Sequence, residues 1–261
     1  GGKSTLINQY LGDDGFLVSN EFVAKRCNVL IENMMKWGRD NWTVTNEGLG
    51  KYERLGETFD AVVVDAPCSG EGMFRKDSDT IGEWSMENVM MCQTRQREIV
   101  RSAWKTLKNG GVMVYSTCTY NAIEDEENVE WIVRELGGVV EDIAIDDKWG
   151  IMKARCGGYH FFPHRVKGEG LFLAVIRKDI CYNDDQQKTK EKPLTFDKKL
   201  MADWLREGDN YGIFELNSEY WAVRKEYKNI VDKLLGAGLN VRACGVEYGM
   251  VKGKDIVPAP G

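Results

Sequence analysis

The chain has 261 residues, 43% of them apolar, and carries 35 Lys and Arg against 41 Asp and Glu for a net charge of -6. That composition builds packed cores and excludes a coiled coil or a disordered tail, while the acidic balance excludes a uniformly basic nucleic-acid coat, so any nucleic-acid role must be local. No apolar run is long enough to span a bilayer and no leader is visible, which reads as a soluble, cytoplasmic protein with no membrane partner, and the seven widely spaced cysteines read as reduced thiols.

Through about residue 178, short apolar runs alternate with helical patterns, the signature of an α/β domain with a mostly parallel sheet. Gly1-Gly2-Lys3-Ser4-Thr5 is a glycine turn leading into a helix. Strands are expected at 16–20, 42–45, 59–64, 112–117, 139–145 and 171–177, and helices at 21–35, 85–108 and 124–136. Lys108-Asn109-Gly110-Gly111 supplies a basic last turn and C-cap glycines, and Glu124, Asp125, Glu126 and Glu127 complement a helix N-terminus. Residues 181–192 hold almost nothing to bury and read as a linker. A smaller α+β unit follows over 193–261, with helices at 196–205 and 227–235 and strands at 211–216, 220–223 and 241–246. Residues 1–180 carry 22 basic and 28 acidic groups and residues 193–261 carry 10 of each, so the acidity lies in the first part.

Candidate chemistry sits at the carboxyl ends of the expected strands, where open α/β sheets bind ligands. Gly1–Thr5 is compatible with the end of a phosphate-binding loop, and the strand ending at Asp65 with a magnesium-binding strand, so a P-loop nucleotide hydrolase is one reading. Glu21 ends a strand with a carboxylate suited to ribose hydroxyls or, equally, to capping the next helix. Cys27 and Cys92 fall inside helical patterns as inert hydrophobes, whereas Cys68 and Cys118 stand in strand-end loops. Arg95, Arg97 and Arg101 read as a solvated helix face, and His160 and His164 without a Cys-x-x-Cys pair give no structural zinc set.

Asp65-Ala66-Pro67-Cys68-Ser69-Gly70-Glu71-Gly72-Met73-Phe74-Arg75-Lys76-Asp77 together with Tyr115-Ser116-Thr117-Cys118-Thr119 resembles the fourth and sixth motifs of the NOL1/NOP2/Sun family of RNA cytosine carbon-5 methyltransferases, nearest to its bacterial RsmF type. The resemblance runs from residue 1 to about 178 and implies a Rossmann-like class I methyltransferase sheet, its first strand missing, with a small C-terminal α+β PUA-like domain. It implies S-adenosyl-L-methionine as cofactor, with Gly1, Gly2, Lys3, Glu21, Asn46, Asp65 and Pro67 on the cofactor side. Glu47 is a rival placement for Asn46. The partner implied is RNA, as ribosomal RNA or the small ribosomal subunit, with no metal and a monomeric protein, and Arg75 and Lys76 are candidates for phosphate contact.

Carbon 5 of cytosine is a weak nucleophile until a thiolate adds to carbon 6. The resemblance assigns that attack to Cys118, product release to Cys68, and contact with the cytosine edge to Asp65. The residues alone leave the two cysteines interchangeable, since a Pro-Cys loop also serves as nucleophile in DNA cytosine methyltransferases. A hydrolase gives Cys68 and Cys118 no role, and a non-catalytic RNA-binding scaffold is the remaining alternative. The chain opens without Met and closes on Pro258-Ala259-Pro260-Gly261, which reads as a fragment cut at both ends. Such a fragment is expected to expose unpaired edges on the strands near Asn20 and Val64 and to bind the cofactor weakly.

Overall fold

The computed structural model describes residues 1–179, 194–197, 200, 204–252 and 255–259. In chain order these form α1 (Gly2–Leu11), β1 (Leu17–Asn20), α2 (Ala24–Trp37), β2 (Trp42–Thr45), α3 (Leu49–Tyr52), β3 (Phe59–Asp65), α4 (Asp79–Glu83), α5 (Met86–Thr106), β4 (Leu107–Thr117), α6 (Glu126–Leu136) and β5 (Gly138–Val140). They continue as β6 (Met152–Lys153), β7 (Tyr159–Phe161), β8 (Leu171–Lys178), β9 (Tyr211–Leu216), β10 (Glu219–Arg224), α7 (Lys228–Gly236), β11 (Val241–Cys244), β12 (Val246–Lys252) and β13 (Asp255–Pro258). No described helix is long and apolar enough to cross a membrane. The linker expected at 181–192 and most of the helix expected at 196–205 lie outside the described residues.

One compact unit joins Gly1–Leu55 to the described residues from Leu194 onward. β1 and β2 run parallel, from Leu17 opposite Trp42 to Asn20 opposite Thr45, and β11 adds antiparallel to β2. Cys27, Leu30 and Met34 recur at helical spacing on α2 and are buried with Trp42, Val44, Trp221 and Val231. A separate antiparallel sheet, in the order β13-β12-β10-β9, follows toward the C-terminus.

The other unit begins at Gly56 and contains a mixed sheet in the order β3-β4-β8-β7-β6, with β5 also on β8. β3 and β4 are parallel, but β8 is antiparallel to β4 and to β7, so the sheet is not mostly parallel as the alternation suggested. Its core places Val100 and Trp104 of α5 and Val129 and Ile132 of α6 with Tyr115, Phe172 and Ile176 of the sheet. Among the described residues β1 and β3 each have a single partner strand.

Several boundaries move for local reasons. α5 ends at Thr106 rather than 108, because Leu107 is fully buried and already extended as the first residue of β4. Gly111 then serves strand approach rather than a helix cap, since a Cβ there would lie 2.9 Å from the Asp60 carbonyl. The strand expected at 139–145 shrinks to β5, and the segment beyond it is held by side chains, with the Tyr159 hydroxyl donating to Asp142 at 2.6 Å. The strand expected at 241–246 is split by Gly245, whose φ of 71° takes the chain out of extended geometry. Arg97 and Arg101 are not a freely solvated face: both lie over the Trp131 ring, at 5.5 and 4.9 Å from its centroid.

Candidate active site

Parallel pairing of β3 and β4 sets Asp65 opposite Ser116, so the loops leaving both strands emerge side by side at one edge of the sheet. The Ala66 amide donates to the Ser116 carbonyl at 2.9 Å and carries the pairing one residue into the loop. Cys68 and Cys118, fifty residues apart in the chain, thereby meet with their sulfurs 3.2 Å apart. The Gly72 amide donates to the Cys118 carbonyl at 2.8 Å, and a Cβ on Gly72 would lie 2.7 Å from that oxygen, so the motif glycine is what lets the loops close on each other.

The hydrogen bond to Cys118 pushes the Cys68 thiol far above the ordinary thiol range, and burial and the neighbouring sulfur's charge add to it. Cys68 is therefore the sulfur of the pair that holds its proton.

A fully buried carboxylate holds this pair of loops. Glu124 accepts from the Ser69 amide at 3.0 Å, from the Ser69 hydroxyl, from Gln96 Nε2 at 2.6 Å and from Asn121 Nδ2 at 2.9 Å. Gln96 also donates to the Pro67 carbonyl at 2.9 Å, so α5 grips the Cys68 loop from below. Glu71 makes the reciprocal tie, accepting from the Tyr120 amide at 2.7 Å and from Trp84 Nε1 at 3.1 Å. Glu124 and Asp125 precede α6, which starts at Glu126, and their side chains are buried rather than arrayed for the helix dipole. Sequence reading missed Glu124, Gln96, Asn121 and Glu71.

At the end of β4, Thr117 Oγ1 donates to Asp125 Oδ1 at 2.6 Å. Burial raises the Asp125 carboxyl to about 9, a shift that the Thr117 hydrogen bond opposes and the charges of Glu126, Glu124 and Glu71 reinforce. His160 bonds Glu126 through Nε2 at 2.8 Å and turns Nδ1 toward Asp125 Oδ2 at 4.0 Å. Asp125 Oδ2 and His160 Nδ1 are both buried and have no hydrogen-bond partner among the described residues. Because the folded carboxyl titrates above its unfolded value of 3.8, the native state holds the extra proton, and stability falls as pH rises from about 4 to about 9. The contribution is up to about 1.4 kcal/mol per pH unit for one proton. Asp125→Asn is expected to flatten this part of the stability profile, as read by urea midpoints between acid and alkaline pH. An unchanged slope would place the proton elsewhere.

The other expected residues are distributed as follows. Asp65 ends β3 with an exposed side chain, and Pro67 is exposed in the loop after it. Glu21 follows β1, where Oε1 accepts from the Val23 amide at 3.0 Å and Oε2 pairs with Arg26 at 2.9 Å, so it caps the entry to α2 while standing half-buried at a parallel strand end. Asn46 follows β2 and donates to the carbonyls of Glu21 and Phe22 at 2.6 and 2.9 Å, whereas Glu47 pairs with Lys51. Gly1 caps α1, close enough to α2 that a Cβ would sit 2.6 Å from Asn33, and Gly2 and Lys3 form the first turn. Asn46 thus holds the main chain at Glu21 and Phe22, while the Glu21 carboxylate stands just past the end of β1. Arg75 and Lys76 line a cavity described below.

Comparison with known proteins places the chain in a family. A protein called ribosomal RNA small subunit methyltransferase F from Vibrio vulnificus is 38% identical over 235 residues, covering 80% of this chain and 50% of that one. Its counterpart from Citrobacter koseri is 32% identical over 258 residues, covering 93% of this chain and 54% of that one. The chain thus spans about half the length of these curated relatives. The crystal structure of NSun6 from Pyrococcus horikoshii with SFG superposes with a TM-score of 0.61 at 28% identity, over 69% of this chain and 46% of that one. Residues 1–177 match the family of 16S rRNA methyltransferases RsmB/F, and the chain belongs to that family.

Proposed function

We propose that the chain carries the catalytic machinery for methylating carbon 5 of cytosine in 16S ribosomal RNA, with S-adenosyl-L-methionine as methyl donor. The observation that carries this reading is the meeting of Cys68 and Cys118 at 3.2 Å on the carboxyl ends of two parallel strands, with Cys68 as the protonated partner. In this reading Gly1, Gly2, Lys3, Glu21, Asn46, Asp65 and Pro67 hold the cofactor, which when bound supplies an electrophilic methyl group.

Cys118, as a thiolate, forms a bond to carbon 6 of the flipped cytosine, and the ring electrons move toward carbon 5, which then takes the methyl group. Asp65 hydrogen-bonds the cytosine edge and steadies the charge that shifts onto the ring. After transfer the carbon-5 proton leaves to a base, the electrons re-form the ring double bond and the bond from carbon 6 to Cys118 breaks. Cys68, with its sulfur 3.2 Å from that of Cys118, serves this release step.

The sheet is read as a Rossmann-like class I methyltransferase arrangement over residues 1–180, and 193–261 as a PUA-like RNA-binding appendage after the linker. We place the protein in the cytoplasm as a monomer, with ribosomal RNA or the small subunit as partner. The test uses the full-length protein carrying this chain, methyl-labelled donor and 16S rRNA, followed by bisulfite mapping. The expected result is label at carbon 5 of cytosine. Transfer to another atom or base, or no transfer at all, would overturn the reading.

A further inference from the structure

We infer that the cavity beside the cysteine loops is the seat for the phosphates and one base of single-stranded RNA flanking the target cytosine, an inference that rests on the proposed RNA reading. The cavity measures about 660 Å³ and draws Arg75 and Lys76 from one segment and His164, Arg165, Lys167 and Glu169 from another. Four cations against one carboxylate make it locally positive in a chain whose net charge is -6. An acidic protein that binds a polyanion needs such a concentration of opposite charge, since the average surface repels the ligand.

Two of the cations, Arg75 and Arg165, are held by main-chain carbonyls. Arg75 Nη1 donates to the Pro163 carbonyl at 3.1 Å, which joins the two walls. Arg165 Nε donates to the Gly150 carbonyl at 3.1 Å, and the Arg165 and Val166 amides both turn back to the Phe162 carbonyl at 2.9 Å. Gly150 has φ 72°, and a Cβ there would lie 2.8 Å from the Arg165 carbonyl, so the turn that presents Arg165 and Lys167 depends on that glycine. Lys76 and Glu169 stand 3.6 Å apart, an exposed pair that a phosphate can open at small cost.

The cavity is also coupled to the reacting loop. Gly72, three residues before Arg75, bonds the Cys118 carbonyl, and the Tyr120 hydroxyl donates to the Glu169 carbonyl. An aromatic run leads the other way: His160 stacks on Phe162 at 4.6 Å, and Phe162 on His164 at 5.5 Å with planes 24° apart. His164 is the exposed end of this stack and faces the cavity, a platform for one unstacked base among the phosphate-binding cations. A free anion has no use for the stacked ring, and an acidic peptide none for a base-sized platform, so the combination favours a single-stranded nucleic acid.

The test measures binding of a short single-stranded RNA to the full-length protein without methyl donor, so that its outcome is independent of whether methyl transfer occurs. Arg165→Ala with Lys167→Ala is expected to weaken binding roughly tenfold at low salt and to lower the salt slope by about 1.4, about 0.7 for each lost phosphate contact. His164→Ala is expected to abolish the preference for an intact oligonucleotide over one with an abasic site, while leaving the salt slope unchanged. Alkylation of Cys68 and Cys118 at the wild-type rate reports that the fold survives. Should the double variant misfold, Lys167→Gln alone carries the comparison, with the slope lowered by about 0.7, and Arg165→Lys, which keeps the charge, is the control that leaves the slope unchanged. An unchanged salt slope overturns the inference, as does an equal loss of affinity for polyaspartate, which would show undirected charge attraction. No RNA product with normal cavity-dependent binding would instead refute the methyltransferase reading and leave the site standing.

Discussion

Cys118→Ala abolishes 5-methylcytosine formation, and Cys68→Ala leaves the protein covalently joined to its RNA; these are the largest effects expected of single substitutions. The difference follows from which sulfur keeps its proton. Cys68 is pushed up chiefly by its hydrogen bond with Cys118, so its thiol keeps its proton, and in the proposed reaction Cys118 is the sulfur that attacks. Without Cys118 nothing adds to carbon 6, carbon 5 remains unreactive, and the methyl donor and RNA bind without consequence. Without Cys68 the addition proceeds, but the group 3.2 Å from the adduct sulfur that would serve release is gone. The adduct is read as a slow-migrating band on a denaturing gel, dependent on both RNA and methyl donor. If Cys118→Ala retained activity the assignment would fall. An adduct formed by Cys118→Ala and absent from Cys68→Ala would reverse the two roles.

The cysteines were legible in the sequence because strand-end loops of an α/β sheet are short and sequence-local, so Cys68 and Cys118 could be placed at the mouth from alternation alone. Their 3.2 Å approach was not legible, since it depends on the register of β3 on β4 and on Gly72 lying against the Cys118 carbonyl. The acids before α6 were read by the wrong rule. Four consecutive acids look like dipole compensation, but Glu124 and Asp125 are fully buried because Ser69 and Gln96 supply donors from two distant segments and Thr117 and Asn121 from the stretch just before them. Burial of a charge is decided by partners distant in sequence, and no local pattern reveals it. The same limit hid only the direction of β8: its apolar run announces the strand, while its antiparallel pairing with β4 and β7 is not written in that run. Glu21 shows the converse, a residue whose two readings both survive, since a strand-end carboxylate can cap a helix and still offer an oxygen to a ligand.

Glu124→Ala is expected to cost about 3–5 kcal/mol of stability and to uncouple the cysteine pair, because it removes the acceptor from a group of buried donors at once. The Ser69 amide and hydroxyl, Gln96 Nε2 and Asn121 Nδ2 all converge on this carboxylate, and each would be left with unmet hydrogen-bonding capacity. Glu124→Gln keeps the volume but turns an amide NH2 toward at least one of those donors, so it should fall between Ala and wild type in thermal stability. Ser69 links the pair to the clamp, being adjacent to Cys68 and bonded through its hydroxyl to Thr119 at 3.2 Å, beside Cys118. Loosening it should therefore widen the gap between the sulfurs, and release should suffer more than RNA binding. An arsenoxide, which grips two thiols only when they are close, measures that gap directly. Tight arsenoxide binding by wild type and weak binding by Glu124→Ala, with unchanged RNA affinity, is the result expected. Equal binding by both proteins would mean that backbone pairing alone, through the Gly72 amide and the Ala66 amide, sets the distance between Cys68 and Cys118.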